Sequence, residues 1–444
     1  MTVARTVCLG FLAVITVGTL LLMLPISIAA GRWGDFLTAL FTATSAVCVT
    51  GLVVVDTGSH FSIWGQAFIL LLIQVGGLGY MTATTFLLLL LGHKFGLRDK
   101  VAIQQSLDKQ ELSGADQVVQ SIIAVTLILE LTGAFCMMPV FIPAYGADWG
   151  LWMSLFHSVS AFNNAGFGLL PDNLIQYATS VPITLTVSLL IILGGIGYQV
   201  IMEAYLWLRH RLHDRRSRIV LSLNFKVAIS TTLFLLALGT TLLLLVEQNN
   251  PGTLAPFSLP DKLLIAWFQA VVPRTAGFNS LDYSKMTEAG WFITIILMLI
   301  GACPGSTGGG IKTTTFRILF DCSRAVLQGK TEVVSYQRQI PPSLVLKAVA
   351  VLFGSLITVL LATAIIELAD PQIEFIQTLF EVVSGFATVG LSTGITAKYS
   401  LFSKLVLIAV MYIGRVGILL LMSAVLGDPK PTSINYPKEN LLVG

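Results

Sequence analysis

Four glycines, Gly51, Gly166, Gly277 and Gly390, recur at intervals of 115, 111 and 113 residues, each following a short amphipathic stretch and preceding a long apolar one. Around them the chain reads Cys48-Val49-Thr50-Gly51-Leu52, Asn164-Ala165-Gly166-Phe167-Gly168, Thr275-Ala276-Gly277-Phe278-Asn279 and Thr388-Val389-Gly390-Leu391-Ser392. This is a fourfold internal repeat, so each copy is one structural unit. Four short Gly-centred strands that can meet on one axis are what a cation filter requires.

The environment of those units follows from composition. Hydrophobic residues make up 55% of the chain and charged residues only 11%, and apolar windows of about 20 residues recur, so the chain is a polytopic membrane protein. Arg5 ahead of the apolar run 7–24 looks like the start of a signal peptide, but no A-x-A-like site is evident and similar segments follow, so this is the first membrane helix. Cys8, Cys48, Cys136, Cys303 and Cys322 form no metal-spaced cluster and are expected to be reduced and buried.

Eight segments are long enough to span: 7–28, 64–91, 118–142, 181–208, 225–246, 291–318, 344–368 and 401–426. Between the members of each pair lies a shorter stretch, 34–47, 149–163, 261–272 or 373–386, too short to cross about 30 Å of hydrocarbon, which must dip in and return. The expected fold is an all-α polytopic membrane protein of four tandem helix–pore-helix–filter–helix repeats around a pseudo-fourfold pore, with repeats at 1–110, 111–221, 222–338 and 339–444. Each repeat crosses an even number of times, so all four share one orientation, unlike the inverted repeats of many carriers.

Basic residues set that orientation. The connections between repeats carry Lys94, Arg98, Lys100 and Lys109, then Arg209, Arg211, Arg215, Arg216, Arg218 and Lys226, then Lys312, Arg317, Arg324, Lys330, Arg338 and Lys347. The opposite side has only Arg32, Lys262, Arg274, Lys285, Lys398 and Lys404, so the linkers and both termini are expected in the cytoplasm. Outside, acids such as Asp35, Asp56, Asp148, Asp172 and Asp282 outnumber bases and would concentrate cations at the mouth. The longest linkers, about 25 residues, are too short for a nucleotide-binding module, so any ligand regulation must come from another chain. Neither an organic cofactor nor a nucleic-acid partner is expected.

Non-helical backbone at membrane depth is tolerated only where protein buries it or it lines a watery cavity. A strand with a glycine at its turn can point successive carbonyls inward, and four such strands replace the water lost by an entering cation. Each strand follows the C-terminal end of a half-helix, whose partial negative charge favours a bare monovalent cation. The candidate ligands are Val49, Thr50 and Gly51, Asn164, Ala165 and Gly166, Thr275, Ala276 and Gly277, and Thr388, Val389 and Gly390. No acidic ring accompanies them, which argues against divalent selectivity.

These motifs resemble those of the Trk/Ktr/HKT superfamily of potassium transporters over nearly the whole chain. Eight spans without an extra N-terminal pair are more similar to the Ktr-type membrane subunit than to the Trk type. The resemblance implies potassium preference from a glycine at all four filter positions, a bacterial-type plasma membrane, and a homodimer with one pore per subunit. It also implies a KtrA-like cytosolic ring of nucleotide-binding subunits, docked on the basic linkers, and sodium as an activator. Those linkers could equally serve topology or anionic membrane lipid.

The third repeat's inner helix is interrupted by Cys303-Pro304-Gly305-Ser306-Thr307-Gly308-Gly309-Gly310-Ile311-Lys312. A proline and four glycines in ten residues cannot sustain an α-helix, so 303–312 is irregular backbone within the bilayer. In the resembled family such a loop obstructs conduction until the regulatory subunit rearranges it. Corresponding inner-helix positions carry Gly76-Gly77-Leu78-Gly79-Tyr80, Gly194-Gly195-Ile196-Gly197-Tyr198 and Gly414-Arg415-Val416-Gly417, where the glycines would allow close helix packing. A charge in an apolar helix should face the pore or the broken loop. The resemblance implies a basic residue on this helix below the filter, and Arg415 matches it; there it would repel a permeating cation and hold the loop through backbone carbonyls. The alternative for Arg415 is a structural ion pair with Glu130 or Glu381.

Two rival readings remain. A proton- or sodium-coupled secondary carrier would need a midplane acidic relay, and none is paired here. An intramembrane hydrolase using Ser392 or Cys303 would need a base that no motif places. The stretch from Gly305 to Thr313 lacks the lysine of a phosphate-binding loop, and Gly390-Leu391-Ser392-Thr393-Gly394 follows a half-helix instead of forming a nucleophile elbow. His60, His93, His157, His210 and His213 have no HExxH partner, so no role is read for them.

Overall fold

Polar caps punctuate the apolar runs. Asp35 accepts from Thr38 N at 2.9 Å, Ser222 from Phe225 N at 3.0 Å, Thr287 from Gly290 N at 3.0 Å and Ser400 from Ser403 N at 3.3 Å. Each cap satisfies one of the free N–H groups that open a helix, a contribution of about 1 kcal/mol. The computed structural model describes residues 3–79, 115–213 and 220–427. Lys94, Arg98, Lys100, Lys109, Arg215, Arg216 and Arg218 lie outside the described residues, as do Tyr80, His93 and the end of the expected span 64–91.

The elements run α1 (Val3–Met23), α2 (Phe36–Val47), the single turn α3 (Thr57–His60) and α4 (Ile63–Leu78). Next come α5 (Ala115–Tyr145), α6 (Ala147–Phe162), α7 (Val181–Ile196) and α8 (Tyr198–His213). They are followed by α9 (Leu223–Glu247), α10 (Leu259–Val271), α11 (Glu288–Leu299) and α12 (Thr313–Leu327). A small antiparallel hairpin, β1 (Val334–Ser335) with β2 (Arg338–Gln339), pairs Val334 with Gln339 and Ser335 with Arg338. The chain closes with α13 (Pro342–Ala369), α14 (Phe375–Phe386), α15 (Leu401–Val416) and α16 (Ile418–Leu426). The fold is thus mostly helical, with that hairpin as an addition to the expected all-α design.

Among the described residues, α1, α5, α9 and α13 are each long and apolar enough to cross a membrane, and the pairs α7/α8 and α15/α16 qualify only as bent spans. The bends are 102° and 94°. They sit at Gly197 (φ 94°, ψ 145°) and Gly417 (φ 85°, ψ 141°), and Gly79 ends α4 in the same conformation (φ 79°, ψ 135°). That region of backbone space is open essentially to glycine alone, so the fourth residue of each inner-helix motif breaks its helix. The spans expected at 181–208 and 401–426 are each bent at that glycine. The first glycine of each motif does serve packing: a β-carbon built on Gly76, Gly194 or Gly414 would sit 2.1, 1.9 or 1.8 Å from the carbonyl oxygen of Val47, Phe162 or Phe386.

The outer surface is apolar and the centre is polar. Leu127, Ile128, Leu131 and Phe135 face outward from α5, as do Phe353, Ile357, Leu360 and Leu361 from α13, whereas Thr44, Ser45, Ser158, Ser160 and Ser384 are fully buried. Such a distribution suits a lipid exterior around an interior that carries polar backbone. Packing around the centre is cyclic. Helix α4 packs against α6, α7 against α10, α11 against α14, and α15 against α2. Cys8, Cys48 and Cys303 are buried free thiols, but Cys136 is exposed and Cys322 half-buried, contrary to the expectation for all five.

Candidate functional site

The short helices α2, α6, α10 and α14 end where the four glycine segments begin, and those segments meet. A β-carbon built on Gly51 would lie 2.5 Å from the Ala165 carbonyl oxygen. On Gly166 it would lie 2.8 Å from Gly277 Cα, on Gly277 2.5 Å from the Val389 oxygen, and on Gly390 2.0 Å from the Thr50 oxygen. The contacts close in cyclic order, with backbone and no side chain between neighbours. All twelve residues named from the sequence, Val49–Gly51, 164–166, 275–277 and 388–390, are buried in this ring.

Its conformation carries a second regularity. The glycines have φ of 93°, 70°, 70° and 88°, and two residues earlier Val49, Asn164, Thr275 and Thr388 have φ of 57°, 58°, 70° and 51°. A left-handed conformation costs a non-glycine residue about 1–2 kcal/mol, most where the side chain is β-branched. Nearby bonds hold it: Thr50 N, Ala165 N and Val389 N each donate at 2.8 Å to Ser45 O, Ser160 O and Ser384 O. Alternating signs of φ turn successive carbonyls to one side of a strand. The glycines announced themselves in the sequence, but Val49 and Thr388 gave no such signal.

On one side of the ring lies a cavity of about 380 Å³ that touches all four glycines and is lined by Asp56, Asp172 and Asp282. Burial alone would raise the Asp282 carboxyl, yet hydrogen bonds from Ser284 and Lys285 hold it below the usual carboxylate range. It therefore stays ionised at neutral pH and adds negative charge to the mouth.

On the other side lies the helix break between Leu299 and Thr313. Cys303 N donates to Gly195 O at 2.9 Å, Thr307 N to Gly194 O at 3.3 Å, and Gly309 N to the Thr388 hydroxyl at 3.0 Å. Ser306 Oγ donates to Cys303 O, and Pro304 and Gly305 approach Gly197. Built β-carbons on Gly308 and Gly309 would collide with the hydroxyls of Thr275 and Thr388, while Gly310 packs on Ala387. Lys312 Nζ donates to Gly308 O at 2.6 Å. Arg415 donates to the carbonyls of Thr307 and Gly76, joining this loop to α4. Neither Glu130 nor Glu381 pairs with it. Glu130 accepts from Asn163 Nδ2 at 2.8 Å, and Asn163 also reaches Gln74 at 2.9 Å.

His157, unread in the sequence, is fully buried; its Nδ1 faces Met153 O at 2.8 Å, and its Nε2 accepts from Leu169 N at 3.4 Å. A helix face aimed at a backbone N–H beyond the ring has no signature in a linear pattern. Neither nucleophile of the hydrolase reading is paired with a histidine: Ser392 Oγ meets Glu381 and Thr396, and Cys303 Sγ meets Thr313 and Thr232.

Helices long and apolar enough to span, around a closed ring of buried backbone, define the class, a multi-pass membrane protein. Residues 6–431 match the family model TrkH, described as a cation transport protein. The chain belongs to the TrkH family of cation transport proteins, whose members are ion transporters, not enzymes. It is 40% identical to the Ktr system potassium uptake protein B of Bacillus subtilis, covering 99% of this chain and 96% of that one. It is 37% identical to the potassium/sodium uptake protein NtpJ of Enterococcus hirae, covering 99% and 97%. The crystal structure of the potassium transporter TrkH from Vibrio parahaemolyticus shares the fold, with a TM-score of 0.70 and 19% identity over 95% of this chain and 85% of that one.

Proposed function

We propose that the protein takes up potassium across a bacterial-type plasma membrane through a selective pore formed by four tandem repeats, at 1–110, 111–221, 222–338 and 339–444, with eight spans. The observation that carries this reading is the cyclic meeting of the segments at Gly51, Gly166, Gly277 and Gly390. Backbone oxygens of Val49–Gly51, 164–166, 275–277 and 388–390 replace the hydration shell of the entering ion. With no carboxylate among these residues, the site suits a monovalent cation. Relatives named as potassium uptake proteins at 40% and 37% identity support the choice of ion.

Ions enter from the acidic cavity and leave past the loop 303–312, the gate. Lys312 and Arg415 place positive charge below the ring, and Arg415 clasps the loop closed. The membrane potential drives inward flow with about 2.3 kcal/mol per charge per 100 mV. Both termini are cytoplasmic under the positive-inside rule. The protein works as a homodimer with a KtrA-like nucleotide-binding ring on its cytosolic face. Sodium acts as an activator, in keeping with a relative named for both ions.

Flux in liposomes with defined potassium and sodium on each side tests the reading. Potassium-selective flux set by the electrochemical gradient is expected. Uptake in fixed stoichiometry with protons or sodium would overturn it in favour of a coupled carrier.

A further inference from the structure

Nine residues before Gly390, on α14, Glu381 has no exposed surface. A buried carboxylate is costly unless charge-assisted bonds saturate it. Here Oε1 accepts from Ser392 Oγ and, at 3.0 Å, from Thr393 N, while Oε2 accepts from Thr396 Oγ1 at 2.8 Å. Ser392 Oγ in turn accepts from Gly394 N at 2.9 Å. Ser392, Gly394 and Thr396 line the cavity above the ring. The carboxylate thus ties a short helix to the rim immediately after Gly390.

Comparable bonds occur in two other quarters. His157 accepts from the N–H of Leu169, three residues after Gly166. Gln269, with its amide oriented to suit its neighbours, accepts from Ser280 N at 3.1 Å and Leu281 N at 3.2 Å and donates to Tyr283 OH. Thr393 is likewise three residues after Gly390. The first quarter is built otherwise, Gly51 N donating to Ser45 Oγ at 3.0 Å. An imidazole, an amide and a carboxyl group therefore hold the same backbone position in three quarters.

We infer that Glu381 is a positioning residue for ion selection: by clamping the turn 392–396 it fixes the Val389 carbonyl beside Gly277 and the Gly390 backbone against Thr50 and Gly51. This rests on the glycine ring being the potassium filter. The carbonyls discriminate between alkali ions only while their spacing is held, and the clamp is the buried, directional contact that holds one quarter of it.

The test uses the full chain reconstituted in liposomes, reading the potassium-to-sodium permeability ratio and, separately, the thermal midpoint. Glu381→Ala is expected to lower the ratio about tenfold, equivalent to about 1.4 kcal/mol. Glu381→Gln, which keeps one acceptor oxygen for Thr393 N, is expected to lower it about threefold, and the Ser392→Ala/Thr396→Ala double variant by an intermediate factor. A residue serving stability alone would lower the midpoint and leave the ratio unchanged, which would overturn the inference. Should Glu381→Ala fail to fold, the Gln and double variants decide by the same ratio. Gly51→Ser is the reference: if it lowers the ratio while every folded Glu381 and rim variant keeps the wild-type value, the clamp is refuted and the pore reading stands. If Gly51→Ser also leaves the ratio intact, both fall.

Discussion

The chain uses glycine in the left-handed half of backbone space in two places with opposite surroundings. In the ring, each glycine is pressed against the backbone of the next segment, with a built β-carbon 2.0–2.8 Å from a neighbouring main-chain atom. At the inner-helix break Gly417, with φ 85°, a built β-carbon meets nothing within 4 Å. Gly305 in the loop is equally open. The ring therefore needs glycine for space as well as for φ, whereas these breaks need it for φ alone. A tightly packed ring thus sits above open breaks at Gly417 and Gly305, whereas Gly197 is pressed on the Pro304 carbonyl oxygen, 2.7 Å from a built β-carbon.

Substitutions sharpen that contrast. Gly390→Ser and Gly51→Ser force a side chain into neighbouring backbone and are expected to reduce the potassium-to-sodium permeability ratio about a hundredfold, a change of about 2.7 kcal/mol. Unchanged ratios in liposome flux would contradict the filter assignment. Deleting Ser306 to Gly309 removes the bond to Thr388 and the carbonyl held by Arg415; basal flux without a partner should rise about tenfold. A fall, or no change, would remove the gate role from 303–312.

Arg415→Ala loses the charge and two carbonyl contacts, and about a fivefold rise in conductance is expected if the charge is the barrier. Loss of folded protein on size-exclusion chromatography would instead identify it as a structural clasp between loop and α4. The smallest effect belongs to Gly417→Ala, which has open space around it and pays only backbone strain of about 2 kcal/mol. A lowered thermal midpoint with an unaltered permeability ratio is the expected outcome, and a changed ratio would show that joint and ring are not independent.

Several parts of the site were legible in the linear chain. The spacing of four glycines, the helix-breaking run from Pro304 to Gly310 and the lone charge at Arg415 are local facts, because they concern what one residue's own backbone or solvation permits. The sequence also placed the short apolar stretches before each glycine, near the observed α2, α6, α10 and α14. It missed the bends at Gly197 and Gly417, since the same glycines can serve helix packing, and only the fold separates Gly194, pressed on Phe162, from Gly197, which turns the chain.

What the sequence by itself determined is a membrane-embedded, mostly helical chain of the TrkH family with four similar glycine segments, because hydropathy and glycine's missing side chain act residue by residue. Tertiary structure alone decided that α15 packs back on α2 to close the circle, that Val49, Asn164, Thr275 and Thr388 take left-handed backbone, and that Glu381 grips the turn at 392–396 and not Arg415. Those choices depend on groups far apart in the chain meeting where water is excluded, and there each polar atom must take whichever partner the packing brings within reach.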